Sequence, residues 1–258
     1  MERWVIMPVV MFIAACAQPA SHSRQATDAD ATPATSEHAT SPPRLHAAGP
    51  ITANAALDDS GVLVLHVGEH SLRLNARNCR EDIPPVVYCD EAVKLTVTSD
   101  DGRVRQVLPL EAIHVNREAT FYRGELTDAF VRQGQTFVMA DVNADGPEDL
   151  LIMTGRDGNY GGPSYDVFLF DAANRRYVHS PAFSELTVGY NGLFSIESGK
   201  LKVSATDGCC YHVFDVYEVR GGTPILIERV TEDRRNADAP RIVKERLVEG
   251  RMLEVKDP

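Results

Sequence analysis

The stretch Phe137-Val-Met-Ala-Asp141-Val-Asn143-Ala-Asp145-Gly146-Pro147-Glu148-Asp149-Leu-Leu-Ile-Met-Thr154 joins two apolar runs of strand length through a loop of alternating oxygen-bearing side chains. Runs this short, ending in turn residues such as Gly155, Asp157 and Gly158, read as strands. The loop between them has the pattern of a cation site. Calcium takes six to eight oxygen ligands, and a loop winding about it aims residues one, three, five and nine inward while residue seven offers its backbone carbonyl. Those positions are Asp141, Asn143, Asp145, Asp149 and Pro147. Gly146 stands at the sharp turn, and Pro147 loses nothing where a carbonyl rather than an N–H is used. Asp141, Asp145 and Asp149 would repel one another in one turn without a cation, so Ca2+ is the expected cofactor.

Position twelve is Ile152 rather than a bidentate glutamate, and the flanks are strands, so this is not a helix-loop-helix site. The loop resembles the DxDxDGxxDL loops of FG-GAP and VCBS repeats, which hold calcium at hairpins of integrin-like β-propellers. Outward from it, short apolar or alternating runs recur at Gly61–Val67, Ser71–Leu74, Val93–Thr98, Val104–Leu110, Tyr165–Phe170, Lys200–Ser204, Val213–Val219 and Pro224–Glu228, separated by turn residues. Tyr165-Asp-Val-Phe-Leu-Phe170 has an echo in Phe214-Asp-Val-Tyr-Glu-Val219, a spacing near that of a four-stranded blade. An all-β fold is expected, a small irregular β-propeller of about five blades, with a β-sandwich as the alternative.

The N-terminus indicates the compartment. Met1-Glu-Arg3 precedes the apolar run Trp4 to Ala15, and Ile13-Ala-Ala-Cys16 resembles the lipobox of bacterial lipoproteins. Residues 1–16 thus read as a lipoprotein signal with Cys16 as the lipidation site. The apolar run is too short to cross about 30 Å of hydrocarbon as a helix. Ala17 after the cysteine, by resemblance to lipoprotein sorting rules, implies anchorage to the outer membrane facing the periplasm. Residues 17–50 are rich in Ala, Ser, Thr, Pro, Gln and His without hydrophobic periodicity, the composition of a disordered tether. Residues 51–258 form one domain. Cys79, Cys89, Cys209 and Cys210 remain, and in an exported chain they suggest disulfides. Cys79 and Cys89 flank Pro84-Pro85 and could close a small loop; Cys209 and Cys210 could bond each other or reach elsewhere.

A net charge of −11 disfavours a nucleic-acid partner and suits a basic protein partner. Arg156-Asp-Gly-Asn-Tyr160-Gly161-Gly162-Pro163-Ser164-Tyr165 concentrates glycine, proline and tyrosine between two strands. Glycines keep such a loop thin, Pro163 limits its freedom, and tyrosine supplies contact area at low entropic cost, the traits of a recognition loop. Tyr165 can alternatively begin the next strand and pack inward. No enzyme activity is expected: Ser164 is not in a G-x-S-x-G elbow, and His66 and His70 have no third ligand in reach of the sequence pattern.

Taken in order, the lipobox, the tether, the loop at Asp141 to Leu150 and the glycine-rich tyrosine loop resemble the immunity lipoproteins of the xanthomonad antibacterial type IV secretion system. The resemblance is most specific over Phe137 to Asp171. It implies a calcium-binding β-propeller that inhibits a lysozyme-like peptidoglycan hydrolase in the periplasm. There is also a looser similarity to periplasmic I-type lysozyme inhibitors, whose inhibitory loop carries a Ser-Gly…Tyr element. The implied inhibitory loop is Tyr160, Gly161, Gly162, Ser164 and Tyr165, with Tyr160 as the plug and the calcium hairpin bracing its base. A calcium-dependent adhesion or envelope-scaffold module is the alternative.

Overall fold

The computed structural model describes residues 50–127 and 134–255. Cys16 and the tether up to residue 49 lie outside the described residues. β1 (Ile51–Ala53) belongs to a sheet that is completed later in the chain. β2 (Val62–Val67), β3 (His70–Glu81), β4 (Val86–Ser99) and β5 (Arg105–Pro109) form an antiparallel meander, and β6 (Ile113–Asn116) pairs with the start of β4. Alternation sets which face is covered: Leu63, Leu65 and Val67 of β2 are buried, while Val64 and His66 are exposed. Cys79 and Cys89 stand opposite each other on β3 and β4 and are bonded, so the small-loop pairing is the one formed.

β7 (Phe121–Arg123), β8 (Phe137–Ala140), β9 (Asp149–Gly155), β10 (Ser164–Asp171) and β11 (Arg176–His179) join β1 in a second sheet, ordered β1-β7-β8-β9-β10-β11. All its pairings are antiparallel except β7 with β8. A short helix, α1 (Pro181–Ser184), then leads to the third sheet, whose order follows the chain: β12 (Ser195–Glu197), β13 (Lys200–Asp207), β14 (Tyr211–Arg220), β15 (Thr223–Asp233), β16 (Arg241–Val248) and β17 (Arg251–Glu254).

The middle of the second sheet is the inner layer, covered on both faces, which explains why β8 and β9 are apolar over most of their length rather than alternating. Phe137 and Met139 of β8, Leu150 and Ile152 of β9, and Phe168 of β10 enter one core with the first sheet. The residues between them, Val138, Ala140, Leu151, Met153, Tyr165 and Val167, enter a second core with Phe183, Leu186, Phe194, Leu201 and Val203. The covering thins toward the C-terminus, where Asp215 is the sole buried residue of β14 to β17.

The all-β expectation is met. A propeller of about five blades is not shown: the described residues form three sheets of six, six and five strands, none closed on itself. Both halves of the echo are strands, β10 and β14, but one lies in the twice-covered layer and the other in a sheet covered on one side at most. Local similarity therefore did not translate into equivalent positions.

Candidate functional site

The metal-loop residues sit where β8 turns into β9, with Ala140 paired to Asp149 across the hairpin. The Asp145 N–H donates to Asp141 Oδ1 at 3.1 Å and to Asn143 Oδ1 at 3.0 Å. The Gly146 N–H donates to Asp141 Oδ2 at 3.0 Å, and Asn143 Nδ2 donates to Asp145 Oδ2 at 2.8 Å. Asp141, Asn143 and Asp145 are thus gathered on one turn, closed by Gly146 with φ +107°, a conformation that excludes most side chains. Pro147 is half-buried, and Glu148 turns away to pair with Arg123 at 2.6 Å.

Asp149 departs from its companions. Its side chain is wholly buried, and its two oxygens accept the Val142 N–H at 2.9 Å and the Phe170 N–H at 2.8 Å. It ties the entry of β9 to the end of β10. Burial first, then repulsion from Asp145 and Asp141, raises its pKa from 3.8 to about 6. Burial and the neighbouring Asp145 also raise Asp141. Among the described residues no three His, Cys, Asp or Glu side chains form a metal cage by themselves. A calcium site here would lean on the Asn143 amide oxygen and on backbone carbonyls as well. Hard oxygen donors and mutually repelling carboxylates fit calcium chemically. The geometry holds Asp141, Asn143 and Asp145 together and commits Asp149 to backbone amides.

The tyrosine loop connects β9 to β10. Tyr160 is 73% exposed and sits in the left-handed region at φ 54°, ψ 32°, uncommon for a residue with a Cβ. It persists because the segment is bonded on every side. Within the loop, Gly158 N–H donates to Gly162 O at 3.1 Å and Gly162 N–H to Asn159 O at 3.0 Å. A Cβ at Gly158 would lie 2.8 Å from that Gly162 oxygen, so only glycine fits. Toward the first sheet, Arg156 donates to Gly161 O and to Asp82 Oδ2, each at 3.0 Å. The guanidinium holds the Asp82 carboxyl below its usual range. Toward the third sheet, Asn159 Nδ2 donates to Thr206 O, Thr206 Oγ1 and Asn191 Oδ1, and its backbone N–H to Tyr190 O. The Tyr160 hydroxyl accepts the Gly208 N–H at 2.5 Å.

Two expected members of the loop face inward. Tyr165 is 3% exposed, on a face of β10 that belongs to the second core, and burial pushes its phenol pKa up. Ser164 is buried, donating to Asp157 Oδ2 at 2.9 Å while accepting the Asp157 N–H at 3.1 Å. Neither can enter a partner's groove; both shape the loop from beneath. Gly161 and Gly162 remain half-buried beside Tyr160.

The metal loop does not brace the base of the tyrosine loop. In an antiparallel meander successive connections lie at opposite ends of the shared strand, here β9 of seven residues. At about 3.3 Å per residue the two loops stand roughly 20 Å apart. Coupling between them has to pass along β9 and β10.

Arg156, Asn159, Asp82 and the Gly208 turn were missed as site residues by sequence reading. Asn159 sits in the quoted loop, but its partners Asn191 and Thr206 are 32 and 47 residues away, so spacing carries no signal for them. A separate groove of about 760 Å³ between β5 and β9 to β11 contains Glu111, Asp166 and His179. There His179 Nε2 approaches both Asp166 Oδ1 (3.5 Å) and Ser184 Oγ (3.3 Å), one nitrogen facing two groups rather than relaying between them. His66 and His70 stand on the β2–β3 hairpin, away from both loops in the chain and on a different sheet.

No protein-family model and no curated protein matches the chain. A solved structure of a Xanthomonas type IV secretion system related protein superposes on it with a TM-score of 0.76 at 40% sequence identity, covering 81% of this chain and 99% of that chain.

Proposed function

The chain belongs to the family of this Xanthomonas type IV secretion system related protein, and from that membership we propose that it is an immunity protein of such a system. In this reading it binds and inhibits a lysozyme-like peptidoglycan hydrolase, held at the outer membrane by lipid on Cys16 and facing the periplasm. It carries no catalysis of its own. The observation that carries the reading is Tyr160, exposed on a segment that is clamped from two sheets. Hydrolases of this kind work through carboxyl groups in a sugar-binding groove. A rigid, thin loop fits that groove because little freedom is lost on binding: the ring fills a sugar subsite and the hydroxyl reaches a catalytic carboxyl. Tyr160 with Gly161 and Gly162 is the inserting part, while Ser164 and Tyr165 support it. The acidic charge of −11 would speed encounter with a basic hydrolase. Calcium at Asp141, Asn143 and Asp145, with the Pro147 carbonyl and Asp149, would stabilise the β8–β9 hairpin.

The test is lysis of purified cell walls by a lysozyme-like hydrolase with and without the protein. Suppression at equimolar dose, lost in Tyr160→Ala, is expected. Binding to sugar or cells without inhibition would overturn it in favour of an adhesion module.

A further inference from the structure

Cys209 and Cys210 are bonded to each other within the turn Gly208-Cys209-Cys210 that joins β13 to β14. Asp207 pairs with Tyr211 across this turn, Cys209 is exposed, and the Gly208 N–H bonds the Tyr160 hydroxyl from 48 residues away in the chain. A bond between adjacent cysteines closes an eight-membered ring through their shared peptide and restricts the torsions of that peptide, directly after Gly208 in the turn. The amide that holds Tyr160 therefore lies between strand β13 and a locked peptide. On the reading proposed above, we propose that the Cys209–Cys210 disulfide is the positioning element of the Tyr160 contact surface. It fixes the ring outward, and the Gly208 amide fills an acceptor site of the hydroxyl. The phenol proton, oriented away from that amide, is then directed to an acceptor on the partner, a carboxylate. Cys209, exposed next to Gly208, extends the contact surface.

The test is a double-mutant cycle on the full chain, read as the inhibition constant against a lysozyme-like hydrolase, with melting temperature recorded alongside. Cys209→Ala/Cys210→Ala should weaken inhibition about tenfold, the scale of one lost hydrogen bond. In the Tyr160→Phe background, where the hydroxyl is already gone, the same change should cost less than about twofold, because both act through one contact. An equal loss in both backgrounds, or no loss in either, overturns the positioning role while leaving the inhibitor reading intact. Full inhibition by both Tyr160→Phe and Tyr160→Ala would overturn the role of Tyr160 and this proposal with it, whereas no inhibition by the native protein would overturn the inhibitor reading itself. Should the cysteine variant fold poorly, the native protein is treated with a dithiol. The dithiol gives two electrons and two protons to the disulfide and becomes a cyclic disulfide itself; iodoacetamide then caps the new thiols. Cys79 of the other bond is exposed as well as Cys209, so the capped residues are identified by peptide mass, and only protein capped at Cys209 and Cys210 with Cys79–Cys89 intact is assayed. A capped, folded protein that inhibits as strongly as before would overturn the proposal, and a roughly tenfold loss would support it.

Discussion

Asp149→Asn separates what the buried carboxylate does by its charge from what it does by its shape. The side chain is wholly buried and its pKa is raised from 3.8 to about 6, so the folded protein holds that proton more tightly than the unfolded chain. Its ionisation therefore opposes folding: the penalty is absent below about pH 4, grows between about 4 and 6, and is complete above. Its full size is on the order of 3 kcal/mol. Asparagine keeps the volume and one oxygen, but turns an N–H donor toward either the Val142 or the Phe170 amide, a loss of about 1–3 kcal/mol that does not vary with pH. Other groups titrate in the same range. Asp141 and Asp166 are raised by burial and act with Asp149, while His70 and His114 are lowered by burial and lose stability as pH falls. Only the difference between the two proteins isolates Asp149. Urea denaturation followed by far-ultraviolet circular dichroism, in chelator at several pH values from 4 to 7.5, measures it. Wild type should lose about 3 kcal/mol relative to Asp149→Asn across that span. A constant difference, or one of opposite slope, would refute the reasoning and mean that the two amides compensate the buried charge completely.

Saturating calcium should raise the wild-type melting temperature at pH 7, by about 2.7 kcal/mol of stability at a hundredfold excess over the dissociation constant, and should do less for Asp141→Ala; an unchanged midpoint would dismiss the site. Asn159→Ala removes the donor to Thr206 and Asn191 and should weaken inhibition about tenfold while moving the melting temperature little, because the contact orders a half-exposed loop. Arg229 holds the buried Asp215 carboxylate through two bonds of 2.7 Å, with Tyr190 donating a third at 2.8 Å. Arg229→Ala should lower stability by about 3 kcal/mol by chemical denaturation, and Arg229→Lys should recover part of it. Phe194→Ala, at a fully buried position of the second core, should cost about 3–5 kcal/mol in the same assay.

The order of strands around the metal loop was legible because its signals are local. Phe137–Ala140 and Asp149–Gly155 are apolar through and through, a pattern that demands cover on both faces, and the alternating Asp and Asn residues around Gly146 demand a turn. That the two loops lie at opposite ends of β9 was also implicit in a meander, yet it was overridden by their closeness along the chain. The fate of Tyr165 was not legible. A tyrosine after Gly-Pro-Ser suits a loop tip or a strand, and the choice depends on Phe183, Leu186 and Phe194, which cover that face of β10 from later in the chain. The same holds for the fully buried Asp149, whose second amide partner comes from Phe170.

The sequence by itself determined the all-β class and the hairpin at Asp141–Asp149, since strand period, turn chemistry and glycine placement act over a few residues. The tertiary structure alone decided which tyrosine is free, which cysteines bond, and what holds the loop. Those outcomes depend on groups such as Asp82, Thr206 and Gly208, brought to the loop by sheet packing across separations for which a single sequence carries no periodic signal.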